Sequence, residues 1–170
     1  NLISPNCQIV QVDGITEGAA CTTLLAKELI NNDMPLLMAN SDQFVEWDSH
    51  ETIYTFSNSQ FDGGILTFPA SHPKWSYAKL NEEGLVSEVA EKKPISKHAT
   101  VGIYWWNKGS DYVKYAEQMI KDKNMSKGEY YVAPVYKYMI QNKQRIELYN
   151  IDKDGQNMYA YQLLLLQWLV

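Results

Sequence analysis

Residues 35–48 read PLLMANSDQFVEWD. Its first five residues form an apolar run of strand length that stops abruptly at Asn40, Ser41 and Asp42. A strand without a polar face belongs inside a sheet covered on both sides, and no other stretch constrains the fold as much. Ahead of it, residues 7–12 (CQIVQV) read as a short strand. Residues 14–33 then carry a helical pattern that places Ala20, Leu24, Leu25 and Leu29 on one face. Strand, helix and apolar strand in that order predict a parallel sheet with helices against it. A chain of 170 residues is long enough to bury such a core without staples, so residues 1–170 are expected to form one domain.

Beyond Asp42 the pattern changes. Residues 63–68 (GGILTF), 75–80 (WSYAKL) and 85–90 (LVSEVA) read as short strands, the last two joined through NEEG as a hairpin. ATVGIYWW is a further strand, in which adjacent Trp105 and Trp106 must point to opposite faces, one of them inward. Ser110 is the predicted cap of a helix, SDYVKYAEQMIKDK, with Tyr112, Ala116, Met119 and Ile120 on one face and lysines in its last turn. GEYYVAPVYKYMIQ reads as another helix, with Pro134 tolerated near its first turn. RIELY alternates like a strand, and the C-terminal segment reads as helical. The expected architecture is a mixed α/β domain whose parallel part comes first and whose antiparallel part is inserted later.

Charge narrows the partners. The net charge is −5, with acids and bases interspersed, so no basic stripe marks a nucleic-acid footprint. An anionic substrate therefore needs local Lys, Arg or metal. Cys7 and Cys21 have no metal-ligand or redox spacing, which favours a reducing cytoplasm. No secretory signal is visible, and the apolar run at 163–170 is too short to span a bilayer. That run reads instead as a terminal helix seeking a surface to cover. Glycine-rich phosphate loops and nucleophile elbows are absent, and His50, His72 and His98 are scattered without metal spacing.

Two places could carry chemistry. In open α/β sheets ligands collect at the carboxyl ends of strands, where Asp42 is expected to lie. A carboxylate there can hold Mg²⁺ beside substrate phosphates, or simply make an Asx-turn. In AEKKPISKHATVGIYWW, Glu91, Lys92 and Lys93 crowd before Pro94, which fixes the backbone beyond them. A lysine held in this way can grip a phosphate as a point charge; the same run can also be a solvated charge cluster.

Taken in order, TEGAACTTLLAKELI, PLLMANSDQFVEWD, SYAKLNEEGLVSEVAEKKPISKHATVGIYWW and GEYYVAPVYKYMI resemble the sugar-phosphate nucleotidyltransferase family. The nearest branch is the capsule and lipopolysaccharide type related to glucose-1-phosphate thymidylyltransferases, matching from about Val10 to about Tyr149. The resemblance implies a Rossmann-like mixed sheet of the nucleotide-diphospho-sugar transferase type. It also implies transfer of a nucleoside monophosphate from a nucleoside triphosphate to a sugar 1-phosphate, supplying surface polysaccharide synthesis. By resemblance Asp42 binds the Mg²⁺ that bridges the α-phosphate, and Lys93 reaches the sugar phosphate. Glu17, Gly18 and Ala19 match the turn that approaches the nucleotide base, and Tyr77 and Ala78 a Tyr-Gly pair near the sugar. Lys92 stands where many members have a Glu, and Glu91 is expected to take over that acid's hydrogen bonds to sugar hydroxyls; Gly102 matches the glycine beneath the sugar, and Glu129 the acid opening the following helix.

The chain departs from the family pattern at both ends. The family's glycine-rich triphosphate cradle has no counterpart here, so an N-terminally incomplete domain is expected. Near the other end, DGQNMYAYQLLLLQWLV lacks the family's Gly-Thr-Pro, and Asp152 and Asp154 fall upstream of the place for a second metal ligand. A non-catalytic sugar-phosphate-binding or scaffold domain is the alternative reading. A related glycosyltransferase is disfavoured because SDQ lacks the second acid of an Asp-x-Asp motif. Nucleic acid and membrane are not expected partners, and a homo-oligomer is left open.

Overall fold

The computed structural model describes residues 5–151 and 161–162. Its elements are α1 (Ala19–Leu24), α2 (Lys27–Ile30), β1 (Leu36–Ala39), β2 (Gln43–Phe44), α3 (Ser49–Asn58), β3 (Gly63–Pro69), β4 (Tyr77–Leu80), β5 (Val86–Ala90), β6 (His98–Trp106), α4 (Gly109–Lys121), α5 (Val135–Gln141), β7 (Ile146–Asn150) and β8 (Tyr161–Gln162). This is the expected Rossmann-like mixed α/β class, built on a six-stranded sheet in which β5, β4, β6, β3 and β7 lie side by side and β1 also pairs with β6.

The spine is β6, buried at every position from Ala99 to Trp106. Its side chains alternate between two cores, as the strand period requires. Val101, Ile103 and Trp105 join Phe56 of α3, Leu66, Tyr149 and Ile151 on one face. Tyr104 and Trp106 join Tyr112, Met119, Tyr136 and Met139 of α4 and α5 on the other. Both tryptophans are therefore internal, one in each core, rather than one alone. Tyr136 stacks on Trp106 with ring centroids 4.9 Å apart. Its single O–H is shared between the Gly64 and Trp105 carbonyls, 2.9 and 2.8 Å away, fastening α5 to the sheet.

The strand directions correct the expected order. β1 and β3 are each antiparallel to β6, on opposite sides of it, so they run the same way without touching. The parallel pair among the described residues is β3 with β7, and β6 has been inserted within a set of like-directed strands. Nor is β1 covered on both faces: its burial alternates, and Leu37 is 40% exposed. Residues 7–12 form no strand, and Ile9 is 83% exposed, because no described strand lies beside them to pair.

The helix expected over 14–33 breaks into α1 and α2, with Leu25 and Leu29 at its exposed margin. The Thr22 and Thr23 hydroxyls donate back to carbonyls of residues 18–20, a bond that bends short helices, while Thr23 also meets the buried Tyr112 hydroxyl. α4 starts at Gly109 with Lys108 as its cap, not at Ser110. The amides of Gly109 and Ser110 donate to Met34 and Asn32 carbonyls at 2.9 Å, so the loop before β1 satisfies the helix start that a serine side chain was expected to serve. The α5 helix begins only after Pro134, leaving residues 128–133 irregular. Sequence reading missed α3, although Asp48 followed by Glu51 is a capping signature: the Asp48 carboxylate accepts from the Glu51 amide at 2.9 Å. The predicted terminal helix, with Asp152 and Asp154, lies outside the described residues.

Candidate active site

Two strands share one edge of β6. β1 occupies its C-terminal end, where Ala39 lies opposite Ile103, and β4 its N-terminal end, where Tyr77 lies opposite Ala99. Between these contacts β1 and β4 part, and the edge is bridged only by single bonds from Asn40 N to Gly102 O (3.1 Å) and from Thr100 N to Ser76 O (2.8 Å). A cavity of about 400 Å³ opens at this fork. Ligands favour such places in α/β sheets, because diverging strands leave a crevice between their ends.

Each wall comes from a different element. Asn40 and Asp42 follow β1; Lys74, Trp75 and Ser76 precede β4; Glu91 and Lys92 follow β5. Thr100, Gly102 and Tyr104, on one face of β6, make the floor. Ala19 of α1 and Tyr131, Val132 and Ala133 ahead of α5 close the remaining side. Gly102 has φ +90, a backbone state that L side chains rarely adopt.

The floor is a buried polar chain. Thr100 Oγ1 and Tyr104 Oη are 3.0 Å apart, and Ser76 Oγ donates to the Glu91 carboxylate. Burial pushes the Tyr104 hydroxyl up to about 12, countered by hydrogen bonds to Thr100 and Ser76 and assisted by the Glu91 charge. Burial likewise raises Glu91, against the Ser76 bond and the charges of Lys92 and Lys127, while Glu129 adds to the rise. Glu91 is thus an acceptor held at the cavity wall by a neutral donor. Lys92 stands beside it with φ +52 and donates from Nζ to Tyr131 Oη at 2.5 Å. Non-glycine residues in this backbone region cost about 1–3 kcal/mol and cluster where surroundings hold them for a purpose.

Of the sequence-predicted residues, Asp42, Ala19, Glu91 and Gly102 line this cavity together. Lys93 does not: it is exposed and outside the lining, and Lys92 takes the place at the wall because its left-handed backbone turns the chain there. Tyr77 and Ala78 are fully buried in the sheet, with the Tyr77 hydroxyl donating to the His72 carbonyl at 2.7 Å, and the residues just before them face the cavity instead. Glu17, which is exposed, and Gly18 are not among the lining residues. Tyr130 N donates to Glu17 O (2.8 Å) and Ala20 N to Tyr130 O (2.9 Å), so the space that a side chain on Gly18 would fill belongs to the Tyr130 backbone. Glu129 is exposed and not among the lining residues; its carboxylate meets the Tyr131 hydroxyl.

Ser76, Lys92, Thr100, Tyr104 and Tyr131 were not singled out for this site from sequence, except that Lys92 was noted beside Lys93. One signal was available: Thr100, Gly102 and Tyr104 recur at the period of two that defines a strand face.

Among the described residues no group of three or more His, Cys, Asp or Glu side chains could hold a metal ion. Asp42 offers a single carboxylate at the cavity wall. That set suits a hard ion that keeps several waters and arrives with substrate phosphates, not a resident metal caged by protein.

The chain thus has a Rossmann-like mixed sheet with an acid and a lysine lining one cavity at a strand fork. Residues 5–168 match the Nucleotidyl transferase family, and the chain belongs to it. A nucleoside-diphosphate-sugar pyrophosphorylase from Vibrio cholerae RC9 has a similar structure, with a TM-score of 0.66 and 27% identity over 82% of this chain and 59% of that one. A chain from Bacillus anthracis described as a glucose-1-phosphate thymidylyltransferase, crystallised with sucrose, shares the fold with a TM-score of 0.66 and 18% identity, covering 89% of this chain and 58% of that one. This chain thus spans just under three fifths of the length of each. No curated protein matches its sequence significantly. Among the described residues no helix is long and apolar enough to cross a membrane.

Proposed function

We propose that this chain carries the sugar-phosphate half of a nucleotidyltransferase site, in which a sugar 1-phosphate receives a nucleoside monophosphate from a nucleoside triphosphate. The observation that carries the reading is the meeting of Asp42 with Glu91 and Lys92 at one cavity, in a chain of the nucleotidyl transferase family. In the reaction an oxygen of the sugar phosphate attacks the α-phosphorus, the bond to the β-phosphate oxygen breaks, and pyrophosphate leaves. Alignment and charge neutralisation are what such a displacement needs from protein.

Glu91 accepts hydrogen bonds from sugar hydroxyls and so fixes the ring. Lys92 grips the phosphate of the sugar. Ala19, small and exposed at the cavity mouth, leaves room for a nucleotide base. Asp42 would hold Mg²⁺, which when bound neutralises charge on the α-phosphate. The resemblance to capsule and lipopolysaccharide enzymes supports a cytoplasmic role in supplying surface polysaccharide.

Pyrophosphate release is measured with glucose 1-phosphate or mannose 1-phosphate, each nucleoside triphosphate in turn, and Mg²⁺. Asp42→Asn is expected to lower Mg²⁺-dependent turnover by at least about 100-fold. Undiminished release in that variant would contradict the assignment of Asp42. Sugar phosphate binding with no release is what a sugar-phosphate half, or the alternative non-catalytic binding domain, shows by itself, and binding of neither sugar phosphate would contradict the half-site reading.

A further inference from the structure

Lys92 and Tyr131 come from different elements and meet at their tips. Lys92 Nζ donates to Tyr131 Oη at 2.5 Å and lies 4.5 Å from the ring centroid, at the hydroxyl end of the ring. An ammonium has three donors, so this bond uses one and leaves two. A free lysine must give up rotamer freedom to grip an anion, whereas one tied at its tip has already given it up. The Tyr131 oxygen accepts from Lys92 and still has its own O–H to offer, its pKa raised by burial and by the nearby Glu129. Around Glu91 the rim sets Lys92 and Lys127 against Glu129. With Glu91 itself counted, acids and bases balance there, so an anion is held by directed donors more than by a net positive field.

We propose that Tyr131 is a positioning residue for an anion subsite: its hydroxyl fixes the Lys92 ammonium at the cavity wall, ready for the phosphate of a sugar 1-phosphate. The inference rests on the sugar-phosphate reading above and adds how the cation is held. On arrival of the phosphate, the two remaining Lys92 donors bind its oxygens. The Tyr131 O–H donates to a phosphate oxygen, with no proton transferred. Lys93, exposed and outside the cavity, takes no part.

NMR titration of the 170-residue chain with glucose 1-phosphate, mannose 1-phosphate and the two free sugars gives the preference for phosphorylated over free sugar, and the amide spectrum reports folding in the same samples. Tyr131→Phe keeps the ring and is expected to lower that preference about 10-fold with free-sugar affinity unchanged, as for loss of one charge-assisted bond. Lys92→Met lowers it at least as far, and in the Lys92→Met background Tyr131→Phe adds nothing, the signature of a coupled pair. A wild-type preference in Tyr131→Phe overturns the inference, as does equal weakening toward phosphorylated and free sugars. Loss of preference in Lys93→Met but not in Lys92→Met also overturns it. A wild-type chain with no preference for either sugar phosphate overturns the sugar-phosphate reading itself, and the inference with it.

Discussion

Gly18 is where the site wall is stitched to the first helix, and Gly18→Ala tests that seam. The residue has φ 116 and ψ 173, a region open essentially to glycine alone. Forcing alanine into it costs about 1–3 kcal/mol. A Cβ there would also stand 2.6 Å from Tyr130 O and 2.7 Å from Tyr130 N, which real Cβ atoms do not do. Both atoms are backbone and cannot swing aside. The two segments must spread, stretching the hydrogen bonds from Tyr130 N to Glu17 O and from Ala20 N to Tyr130 O. At about 1 kcal/mol each, those two bonds bring the expected loss to about 3–5 kcal/mol, a large share of the roughly 5–15 kcal/mol that holds a domain together. Gly14 supplies the control: its φ is 120, yet a Cβ there meets nothing within 4 Å. Gly14→Ala is therefore expected to cost only the backbone strain of about 1–3 kcal/mol, less than Gly18→Ala by the contribution of the Tyr130 contact. Urea unfolding followed by tryptophan fluorescence measures both variants. Equal losses in the two, or a loss below about 1 kcal/mol in Gly18→Ala, would refute the claim that contact with Tyr130 dictates glycine.

Tyr136→Phe removes a hydroxyl that bonds the Gly64 and Trp105 carbonyls and leaves the stacked ring in place. Urea unfolding should show a loss of about 2 kcal/mol with an unchanged denaturant slope, and a loss under about 0.5 kcal/mol would mean that these bonds add no net stability. Glu91 gives a pH signature. Burial raises its folded-state pKa, so the folded chain holds that proton more tightly than the unfolded chain. The stability it contributes is full below the ordinary glutamate value and is lost as pH rises through the raised one. Glu91→Gln should therefore gain stability relative to wild type as pH increases across that window, and parallel stability curves would exclude the effect.

How much of this was legible in the sequence differs by level. The element pattern from residue 63 onward follows local chemistry: NEEG turns a hairpin, Pro134 marks a helix start, and alternation in ATVGIYWW yields a strand whose two tryptophans enter opposite cores. The direction of pairing was not legible. An apolar run such as PLLMA has the same composition beside a parallel or an antiparallel neighbour, and only long-range pairing with Ile103 to Trp106 settles which it has. Site residues divide along the same line. Asp42 stood out as an acid ending an apolar strand, and Glu91 because it crowds with two lysines before Pro94 in a stretch that resembles the family. Ser76 and Tyr131 did not, because their role is to touch another side chain, and spacing along one strand or loop carries no trace of that.

The lysine pair shows where motif spacing and backbone geometry part. The resemblance selects Lys93, the residue before Pro94, as the counterpart of the lysine in the family's Glu-Lys-Pro motif. Pro94 does restrict the residue before it, toward extended backbone. The left-handed turn falls one position earlier, at Lys92 with φ +52, immediately after β5 has ended at Ala90 and Glu91 has joined the cavity wall. A residue in that conformation reverses the local course of the chain, so Glu91 and Lys92 face the cavity together while Lys93 leaves it. Tyr131 then meets the ammonium from a segment that adopts no helix until Pro134. A helix continuing from residue 128, as the sequence pattern suggested, would leave the Tyr130 carbonyl facing Pro134, which has no N–H to donate, and the Tyr130 amide in a first turn with no intrahelical acceptor. Those groups instead bond to Glu17 and Ala20, and that exchange is what brings the segment to the cavity edge.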